Sequence, residues 1–322
     1  MQEPLKILVI RFSSIGDIIL TTPIIRCLKQ QLNADVDFLT KTQYFELLTG
    51  NPYINKIITT KNSTNFVLEN LRANSYDVII DLQNNFRSLK LRLALGIKSY
   101  TFSKQNFKRN LLIYFGVDLL KNHIVDRYFK AVADLNVYND EKGIDYFIQN
   151  TPDIDFNINQ NYICWCIGGS HIRKKLSALQ ISRVINNIDL PIVLLGGNED
   201  KPISAEVIKH TKTNNIYDFC GKTTIEESAY LIKESQLVLS NDTGMMHIAS
   251  AFSNPIISFW GCTKPSLGFA PYKASQKSQN IISLISQNPC SKHGRYCKFK
   301  TQGCVKKIDS KIISMTIKRL LE

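Results

Sequence analysis

The chain has 322 residues, a formal net charge of +13 and 44% apolar residues. This length suits two domains, and the apolar content is ample for two cores. No run approaches the roughly 18 uncharged apolar residues of a membrane-spanning helix, and MQEPLKILVIRF lacks the layout of a signal peptide, so we expect a soluble, cytoplasmic protein.

The predicted elements form two series in chain order. In the first, the apolar runs LKILVI, ADVDFLT, NKIITT and YDVIID alternate with helical stretches, the first of which is an amphipathic segment from Ile18 to Leu32. The second series contains YICWCI, PIVLLG, NIYDFC, LVLS and PIISFW. Continuous apolar runs are typical of buried parallel strands, so this rhythm predicts an α/β protein with two parallel-sheet units.

The polar stretch NTPDIDFNINQN separates the two series. We therefore predict an N-terminal domain over residues 1–155 and a C-terminal domain over residues 156–322. Thr224 and Glu227 have capping-box spacing, which predicts a helix start in the second series. The end of the chain, KKIDSKIISMTIKRLLE, reads as one amphipathic helix that follows a basic tail.

Positive charge is concentrated in two zones. Residues 82–121 carry eight Lys or Arg against Asp118, and residues 264–322 carry twelve against Asp309 and Glu322. Such zones indicate an acidic partner, either a phosphorylated glycolipid, a membrane surface or a nucleic acid, although an ordinary lysine-rich surface explains them equally well. We place the acidic groups of a ligand at the first zone and an anionic membrane at the second. Because neither zone has interleaved aromatics or a recognition motif, no nucleic acid is expected.

Eight cysteines are scattered without CxxC pairs, and reduced thiols are the default in a cytoplasmic protein. Cys290, Cys297 and Cys304 are evenly spaced and could hold a metal or form a disulfide. The expectation is nevertheless that the protein uses no cofactor and no metal.

Open parallel sheets bind ligands beyond the carboxyl ends of their strands. After the first strand comes RFSSIGDIILTTP, where Gly16 permits a close backbone approach and Asp17 opens a helix. A carboxylate at that position is favoured by the helix dipole alone, so both a catalytic and a helix-stabilising role are open. After the fourth strand, DLQNNFRS places polar side chains toward the same crevice.

Two further strand ends lie in the second series. GGSHIRKKL has paired glycines and two lysines, Lys174 and Lys175, that could reach a phosphate. SNDTGMMHIASA puts Thr243 and Gly244 at a helix start, where unpaired N–H groups favour an anion. An ordinary N-cap with His247 packed inside the helix would give the same pattern. The absence of GxGxxG and Walker A sequences argues against a conventional dinucleotide enzyme or NTPase.

Together these motifs resemble the heptosyltransferase family, glycosyltransferase family 9. The resemblance covers most of residues 5–272 and rests on RFSSIGDIILTTPIIRCLK, DLQNNFRS, CGKTTIEESAYLI and SNDTGMMHIASAFSNPIISFWG. It implies the GT-B fold, in which two Rossmann-like domains face each other across a cleft. It also implies transfer of a sugar, heptose by the family name, with inversion from an ADP-sugar to a lipopolysaccharide core or related phosphorylated glycolipid. Such an enzyme would be cytoplasmic and in peripheral contact with the anionic inner face of the membrane.

The resemblance further implies residue roles. Asp17 corresponds to the general base, Lys175 is preferred over Lys174 as the basic donor ligand, and Glu226 is the nucleotide-side acid, with Glu227 as the alternative. The implied donor-binding set is Ser170, Lys175, Glu226, Asp242, Thr243, Gly244 and His247. The acceptor-side candidates are Ser13, Ser14, Gly16, Gln83, Asn84 and Arg87. Two other functions remain open, a sugar-nucleotide epimerase of related two-domain fold and a transferase with a non-heptose donor.

Overall fold

The computed structural model describes residues 3–61, 65–285 and 287–322, with only the backbone of residues 65 and 66. The chain forms two compact units, each built on one parallel sheet. Unit 1 comprises Met1–Lys104 and Asn122–Gln149, and unit 2 comprises Gln105–Lys121 and Asn150–Glu322. The segment Gln105–Lys121 thus lies within the sequence of the first series but packs with the second unit.

Unit 1 contains a five-stranded parallel sheet in the order β3-β2-β1-β4-β5. Its strands are β1 (Lys6–Ile10), β2 (Asp35–Lys41), β3 (Lys56–Thr60), β4 (Val78–Asp81) and β5 (Ser99–Thr101). Its helices are α1 (Ile15–Ile19), α2 (Thr22–Leu32), α3 (Asn65–Ala73), α4 (Phe86–Leu95) and α6 (Ile124–Val132). The strand order changes direction between β1 and β4, which places the loops after these two strands side by side.

Unit 2 contains a six-stranded parallel sheet in the order β11-β10-β9-β6-β7-β8. Its strands are β6 (Ile163–Cys166), β7 (Ile192–Leu195), β8 (Ile216–Asp218), β9 (Leu237–Asn241), β10 (Ile256–Trp260) and β11 (Gln279–Ile282). Its helices are α5 (Asn106–Phe115), α7 (Ala178–Ile185), α8 (Lys201–His210), α9 (Ile225–Glu234), α10 (Gly244–Ala251) and α11 (Ser310–Leu321). Here the order changes direction between β6 and β9.

The two faces of the second sheet are both covered, as continuous apolar strands require. Ile163 and Trp165 of β6 belong to one core cluster, together with residues of α7 and α11, whereas Cys164 and Cys166 face a second cluster that contains Met246 of α10. Successive residues of a strand point to opposite faces, so one short run serves both cores. The predicted strands of both series are confirmed.

Two strands were not predicted from the sequence. β5 (Ser99–Thr101) and β11 (Gln279–Ile282) are edge strands of three and four residues with half-buried or exposed side chains. Both are short and incompletely buried, so neither has the continuous apolar run by which the other strands were predicted. The capping box at Thr224 and the terminal amphipathic helix are both confirmed.

The predicted helical segment from Ile18 to Leu32 is divided into α1 and α2. Thr21 and Thr22 donate their hydroxyls to the carbonyls of Ile18 and Ile19, at 2.6 and 2.8 Å, and Pro23 has no N–H to continue the first helix. Threonine side chains that bond the preceding turn compete with the regular helix ladder, and proline is favoured in a first turn. The break therefore ends α1 at Ile19, after five residues.

No helix in the described ranges is both long enough and apolar enough to cross a membrane.

Candidate functional site

The sequence-predicted site residues lie at the two points where the strand order changes direction. In unit 1, β1 and β4 are neighbours with Ile10 opposite Asp81, and in unit 2, β6 and β9 are neighbours with Cys166 opposite Ser240. The crevice beyond the carboxyl ends of such a strand pair is the usual ligand site of an open α/β sheet. Each unit therefore has one candidate corner. We call the loops after β1 and β4 in unit 1 the Asp17 corner, and the loops after β6 and β9 in unit 2 the phosphate corner.

The Asp17 corner is organised around an ion pair. Arg11, the first residue after β1, contacts the Asp17 carboxylate with an Nη2–Oδ1 distance of 2.8 Å. The N–H and hydroxyl groups of Ser14 donate to the same carboxylate at 3.2 and 3.0 Å, because Ser14 caps α1 and Asp17 is its third residue. The side chain of Arg11 is 9% exposed and that of Asp17 is 27% exposed. The carboxylate is thus the outermost charged group of this pair.

Burial alone would raise the pKa of Asp17, but the Arg11 guanidinium and the hydrogen bonds from Ser14 outweigh it, so the pKa lies below its usual value. Arg11 is in turn held by the carbonyls of Ser13, at 2.9 Å, and Leu82. Asp17 is therefore ionised at neutral pH and able to accept a proton or a hydrogen bond from a ligand.

The loop after β4 completes this corner. Gln83 accepts a hydrogen bond from the Phe12 N–H at 2.9 Å, and the Arg87 guanidinium lies 5.6 Å from the centroid of the Phe12 ring. The Asn84 side-chain amide donates to the carbonyl of Phe102 at 2.9 Å, which shapes the loop. Among the other candidates, Ser14 is exposed, Ser13 is half-buried and Gly16 is buried. The structure thus brings the six acceptor-side candidates together with Asp17.

In the phosphate corner, both lysines are paired. Lys175 Nζ lies 2.5 Å from Asp200 Oδ1, with the two side chains 10% and 1% exposed. Lys174 Nζ lies 2.6 Å from Asp242 Oδ2, and both of these side chains are 12% exposed. Lys175, preferred from the sequence, holds a buried carboxylate, whereas Lys174 contacts the first residue of the DTG motif. The ammonium groups of both lysines lie beyond the end of β6.

The start of α10 lies directly after β9. Thr243 occupies its N-cap position and Gly244 its first turn, yet the Thr243 side chain makes no cap hydrogen bond and contacts the Ser240 hydroxyl at 3.4 Å. A side-chain cap satisfies the first N–H groups of a helix, so a helix start without one is suited to an anionic ligand. His247 is buried one turn further into the helix.

The loop before α7 adds positive charge to the same corner. Burial lowers the pKa of His171, and the nearby Lys174, Arg295 and Arg173 lower it further. A Cβ added to Gly169 would lie 3.4 Å from Lys175 Cγ and 3.6 Å from Thr243 Cγ2, so this loop passes close to the start of α10. Ser170 is exposed on the loop. Several cations around one helix start are chemically suited to an anionic ligand.

Glu226 and Glu227 occupy different positions at the start of α9. Glu227 accepts from the Thr224 N–H at 2.6 Å and closes the capping box. Glu226 is half-buried and accepts from the Asn150 N–H at 3.3 Å. Glu227 thus belongs to the helix cap and Glu226 lies outside it, and the nucleotide-side role of Glu226 stays a prediction.

Three residues in these corners were missed by sequence reasoning. Arg11 positions Asp17, Asp200 pairs with Lys175, and Asn241 donates to the carbonyls of Ile167 and Gly168 at 2.9 and 3.0 Å. Arg11 and Asn241 each stand at a strand end, which is a signal available in the sequence. Asp200 follows GGNE in a separate loop, so no local pattern connects it to Lys175.

Two Rossmann-like units, one with a carboxylate corner and the other with an anion-receiving corner, define a protein of the GT-B fold class. The chain is similar in structure to the glycosyl transferase family 9 protein from Veillonella parvula DSM 2008, with a TM-score of 0.82 and 19% identity over 100% of this chain and 98% of that chain. It is also similar to E. coli heptosyltransferase WaaC with ADP, with a TM-score of 0.74 and 16% identity over 98% and 100% of the two chains.

The sequence comparisons give the family. The model of glycosyltransferase family 9 (heptosyltransferase) matches residues 66–301. The chain is 26% identical to lipopolysaccharide heptosyltransferase 3 of Escherichia coli over 284 residues, which are 77% of this chain and 81% of that protein. The protein belongs to glycosyltransferase family 9 and is a transferase, which removes the epimerase alternative.

Proposed function

We propose that this protein transfers heptose from an ADP-activated donor to a phosphorylated glycolipid of the lipopolysaccharide core type, with inversion at the anomeric carbon. The observation that carries the proposal is the phosphate corner, where an uncapped helix start lies among Lys174, Lys175 and the cationic loop around His171. The relatives named above as lipopolysaccharide heptosyltransferases, and the one whose structure contains ADP, support the choice of donor and acceptor.

In the proposed reaction, the Asp17 carboxylate takes the proton of the acceptor hydroxyl. The hydroxyl oxygen forms a bond to the anomeric carbon while the bond from that carbon to the diphosphate breaks, and ADP leaves from the opposite face. Inversion requires a single displacement and therefore one base. The leaving diphosphate already bears negative charge, so no second carboxylate is needed to protonate it.

The phosphate corner stabilises the charge that develops on the leaving group. The first N–H groups of α10 and the ammonium group of Lys174 are donors, with Thr243 and Gly244 presenting the helix start and His247 behind it. Preorganised donors of this kind are among the largest contributions to catalysis. Glu226, Ser170 and Asp242 complete the proposed donor set, with Glu226 on the nucleotide side. No metal ion is assigned to the reaction.

The acceptor would meet the Asp17 corner. Arg87 and Gln83 stand beside Phe12, and α4 continues away from them with a mixed apolar and basic outer surface. Phe86 is 71% exposed, Leu93 is 73% exposed, and Lys90 Nζ lies 4.6 Å from the centroid of the Phe86 ring. Exposed apolar side chains beside cations are suited to an anionic lipid surface. We therefore assign the peripheral membrane contact to α4.

The C-terminal basic zone is less suited to that contact than its sequence suggested. In α11, Ile313 and Ile317 are part of the core of unit 2, and Lys264 is buried with its Nζ 3.0 Å from the carbonyl of Ser283. Part of this zone therefore serves the fold.

The proposed function is tested by following ADP release from ADP-heptose with and without a phosphorylated core glycolipid. We expect release that depends on the acceptor, and NMR of the product should show the opposite anomeric configuration from the donor. Retained configuration would refute a single displacement. ADP release that is independent of acceptor would refute transfer to this acceptor class.

A further inference from the structure

Four thiols converge behind the last strands of unit 2. In the described part of the chain, the Sγ atoms of Cys262, Cys290, Cys297 and Cys304 all lie within 4.8 Å of one another. Cys262 follows β10 by two residues, and the other three come from the segment 287–309, which precedes α11. The even spacing in the sequence indicates only the last three, because Cys262 is far from them along the chain.

The spacing of the thiols matches tetrahedral coordination. The Sγ atom of Cys304 lies 3.8 Å from that of Cys262, 3.7 Å from that of Cys290 and 3.4 Å from that of Cys297. Metal–sulfur bonds of about 2.3 Å in a tetrahedron place the sulfurs about 3.8 Å apart. All eight cysteines of the protein are free thiols in this structure, and Cys262, Cys290 and Cys304 are fully buried.

The backbone around the cluster is folded tightly onto it. The N–H of Cys304 points at Cys262 Sγ at 3.5 Å, and the N–H of Cys290 donates to the carbonyl of Cys262 at 2.8 Å. A Cβ at Gly261 would lie 2.2 Å from the Val305 backbone nitrogen, so the chain before Cys262 leaves no room for a side chain. N–H groups directed at sulfur are typical of the surroundings of thiolate ligands.

The segment 287–309 has little regular secondary structure. Its described residues contain only a 3₁₀ turn at Cys304–Lys307, and Tyr296 and Phe299 are exposed. Val305 and Ile308 anchor the end of the segment in the core of unit 2, whereas the stretch before Cys304 has no helix or strand. A bound metal ion can hold such a stretch in one conformation.

The cluster adjoins the phosphate corner on two sides. Thr263, next to Cys262, donates its hydroxyl to Asp242 at 2.8 Å, and Asp242 pairs with Lys174. From the other side, the carbonyl of Arg295 accepts a hydrogen bond from Arg173 Nη1 at 2.7 Å. A Cβ at Gly294 would lie 2.8 Å from Lys174 Cγ, so the Lys174 side chain rests on this turn.

We propose that Cys262, Cys290, Cys297 and Cys304 bind one metal ion, as four thiolates in tetrahedral geometry, and that this ion fixes the turn supporting Lys174. Zinc and ferrous iron share this chemistry. Four protein ligands leave no open position, so the ion is structural and does not contact substrate. The first half of the proposal concerns metal binding alone, and the second half rests on the proposed donor site.

Metal analysis of the purified wild-type protein tests the first half. We expect elemental mass spectrometry to find one equivalent of zinc or iron per chain. The visible absorption spectrum distinguishes the coloured iron form from the colourless zinc form. After exchange with Co²⁺ alone, the absorption of a tetrahedral cobalt thiolate should appear. Metal-free protein with no cobalt spectrum would overturn the proposal, as would two disulfides found by mass spectrometry without reductant.

Cys297→Ser is the most informative variant because Cys297 is the least buried of the four. It should lose most of the bound metal, whereas the control Cys220→Ala, which removes a buried thiol of the same unit outside the cluster, should keep one equivalent. Full metal content in Cys297→Ser would remove this residue from the site. If the variant does not fold, the metal content of the wild-type protein still decides.

Calorimetry with ADP tests the second half. Metal-depleted protein that keeps its secondary structure should bind ADP about tenfold more weakly or worse, since a charge-assisted contact of Lys174 is worth about that much. Unchanged ADP affinity after metal loss would refute the supporting role while leaving the metal site intact. Wild-type protein that holds metal but binds no ADP would instead refute the proposed donor site.

Discussion

The Asp17 corner and the phosphate corner stand at equivalent places in their sheets and have opposite polarity. In the Asp17 corner the cation, Arg11, is the more buried partner and the carboxylate is outermost. In the phosphate corner the carboxylate of Asp200 is fully buried, and Lys175 is the more exposed partner. The same strand-end geometry thus leaves a carboxylate as the outer charge in one unit and an ammonium group as the outer charge in the other. In the proposed function the first unit supplies the base and the second, through the neighbouring Lys174, contacts the anionic donor.

The substitution with the largest expected effect removes the outermost carboxylate. Asp17→Asn should lower turnover about 10²–10⁴-fold, because a positioned general base contributes that much, and should leave ADP affinity unchanged. Steady-state kinetics and calorimetry measure the two quantities. Asp35→Asn, which removes a surface carboxylate of the same unit that pairs with Lys29, is the control and should keep full turnover. Turnover near wild type in Asp17→Asn would exclude Asp17 as the base.

The next effect is on stability and concerns the buried carboxylate of unit 2. Lys175→Ala leaves Asp200 without its cation, and breaking a buried pair in this way costs about 3–5 kcal/mol of unfolding free energy. Urea denaturation measures it. In the double variant Lys175→Ala/Asp200→Asn much of this loss should be recovered, since the uncompensated charge is gone. Equal instability of the single and double variants would show that the pair is not the cause.

Lys174 should instead affect ligand binding. Lys174→Ala is expected to weaken ADP binding by about 1.5–3 kcal/mol, the range of hydrogen bonds to charged groups. Its loss of stability should be smaller than that of Lys175→Ala, because Asp242 is 12% exposed against 1% for Asp200 and keeps its hydrogen bond from Thr263. Calorimetry of both lysine variants, compared under conditions where each is folded, separates the two roles. If Lys175→Ala loses ADP affinity and Lys174→Ala does not, the assignment made from the sequence is right and ours is reversed.

A smaller effect concerns the pH dependence at the Asp17 corner. Without its cation in Arg11→Gln, burial dominates and the pKa of Asp17 should rise, so the acid limb of kcat/KM should move to higher pH. Because the pKa of Asp17 is lower in the folded than in the unfolded protein, its ionisation stabilises the folded protein at pH values above the unfolded pKa of about 3.9. This stabilisation is lost as the pH falls through the folded pKa. In Arg11→Gln this contribution should be smaller. An unchanged acid limb would show that another group sets it.

The smallest expected effect distinguishes the two outer surfaces. Phe86→Ser/Leu93→Ser on α4 should reduce co-sedimentation with anionic phospholipid vesicles while kinetics on a detergent-dispersed acceptor change little. Ile312→Ser/Met315→Ser on α11 is the matched control, because these side chains are also exposed and lie among basic residues. If the α11 variant loses vesicle binding and the α4 variant does not, the membrane contact belongs to the C-terminal zone.

The sequence by itself determined the two parallel sheets, the strand ends that carry the motifs, and the positions of Asp17, Thr243 and Gly244. These features are local, since an apolar run of four or five residues is enough to define a buried strand, and the turn that follows it is read from adjacent letters. The capping box at Thr224 and the family motifs were predictable for the same reason.

Tertiary structure decided how distant residues pair. Asp200 meets Lys175, Arg173 meets Arg295, and Cys262 joins Cys290, Cys297 and Cys304 through contacts between segments far apart in the chain. The packing of Gln105–Lys121 with unit 2 is of the same kind. Neither periodicity nor spacing records such pairings, because a side chain's charge partner and burial depend on which loops the folded sheet brings to one edge.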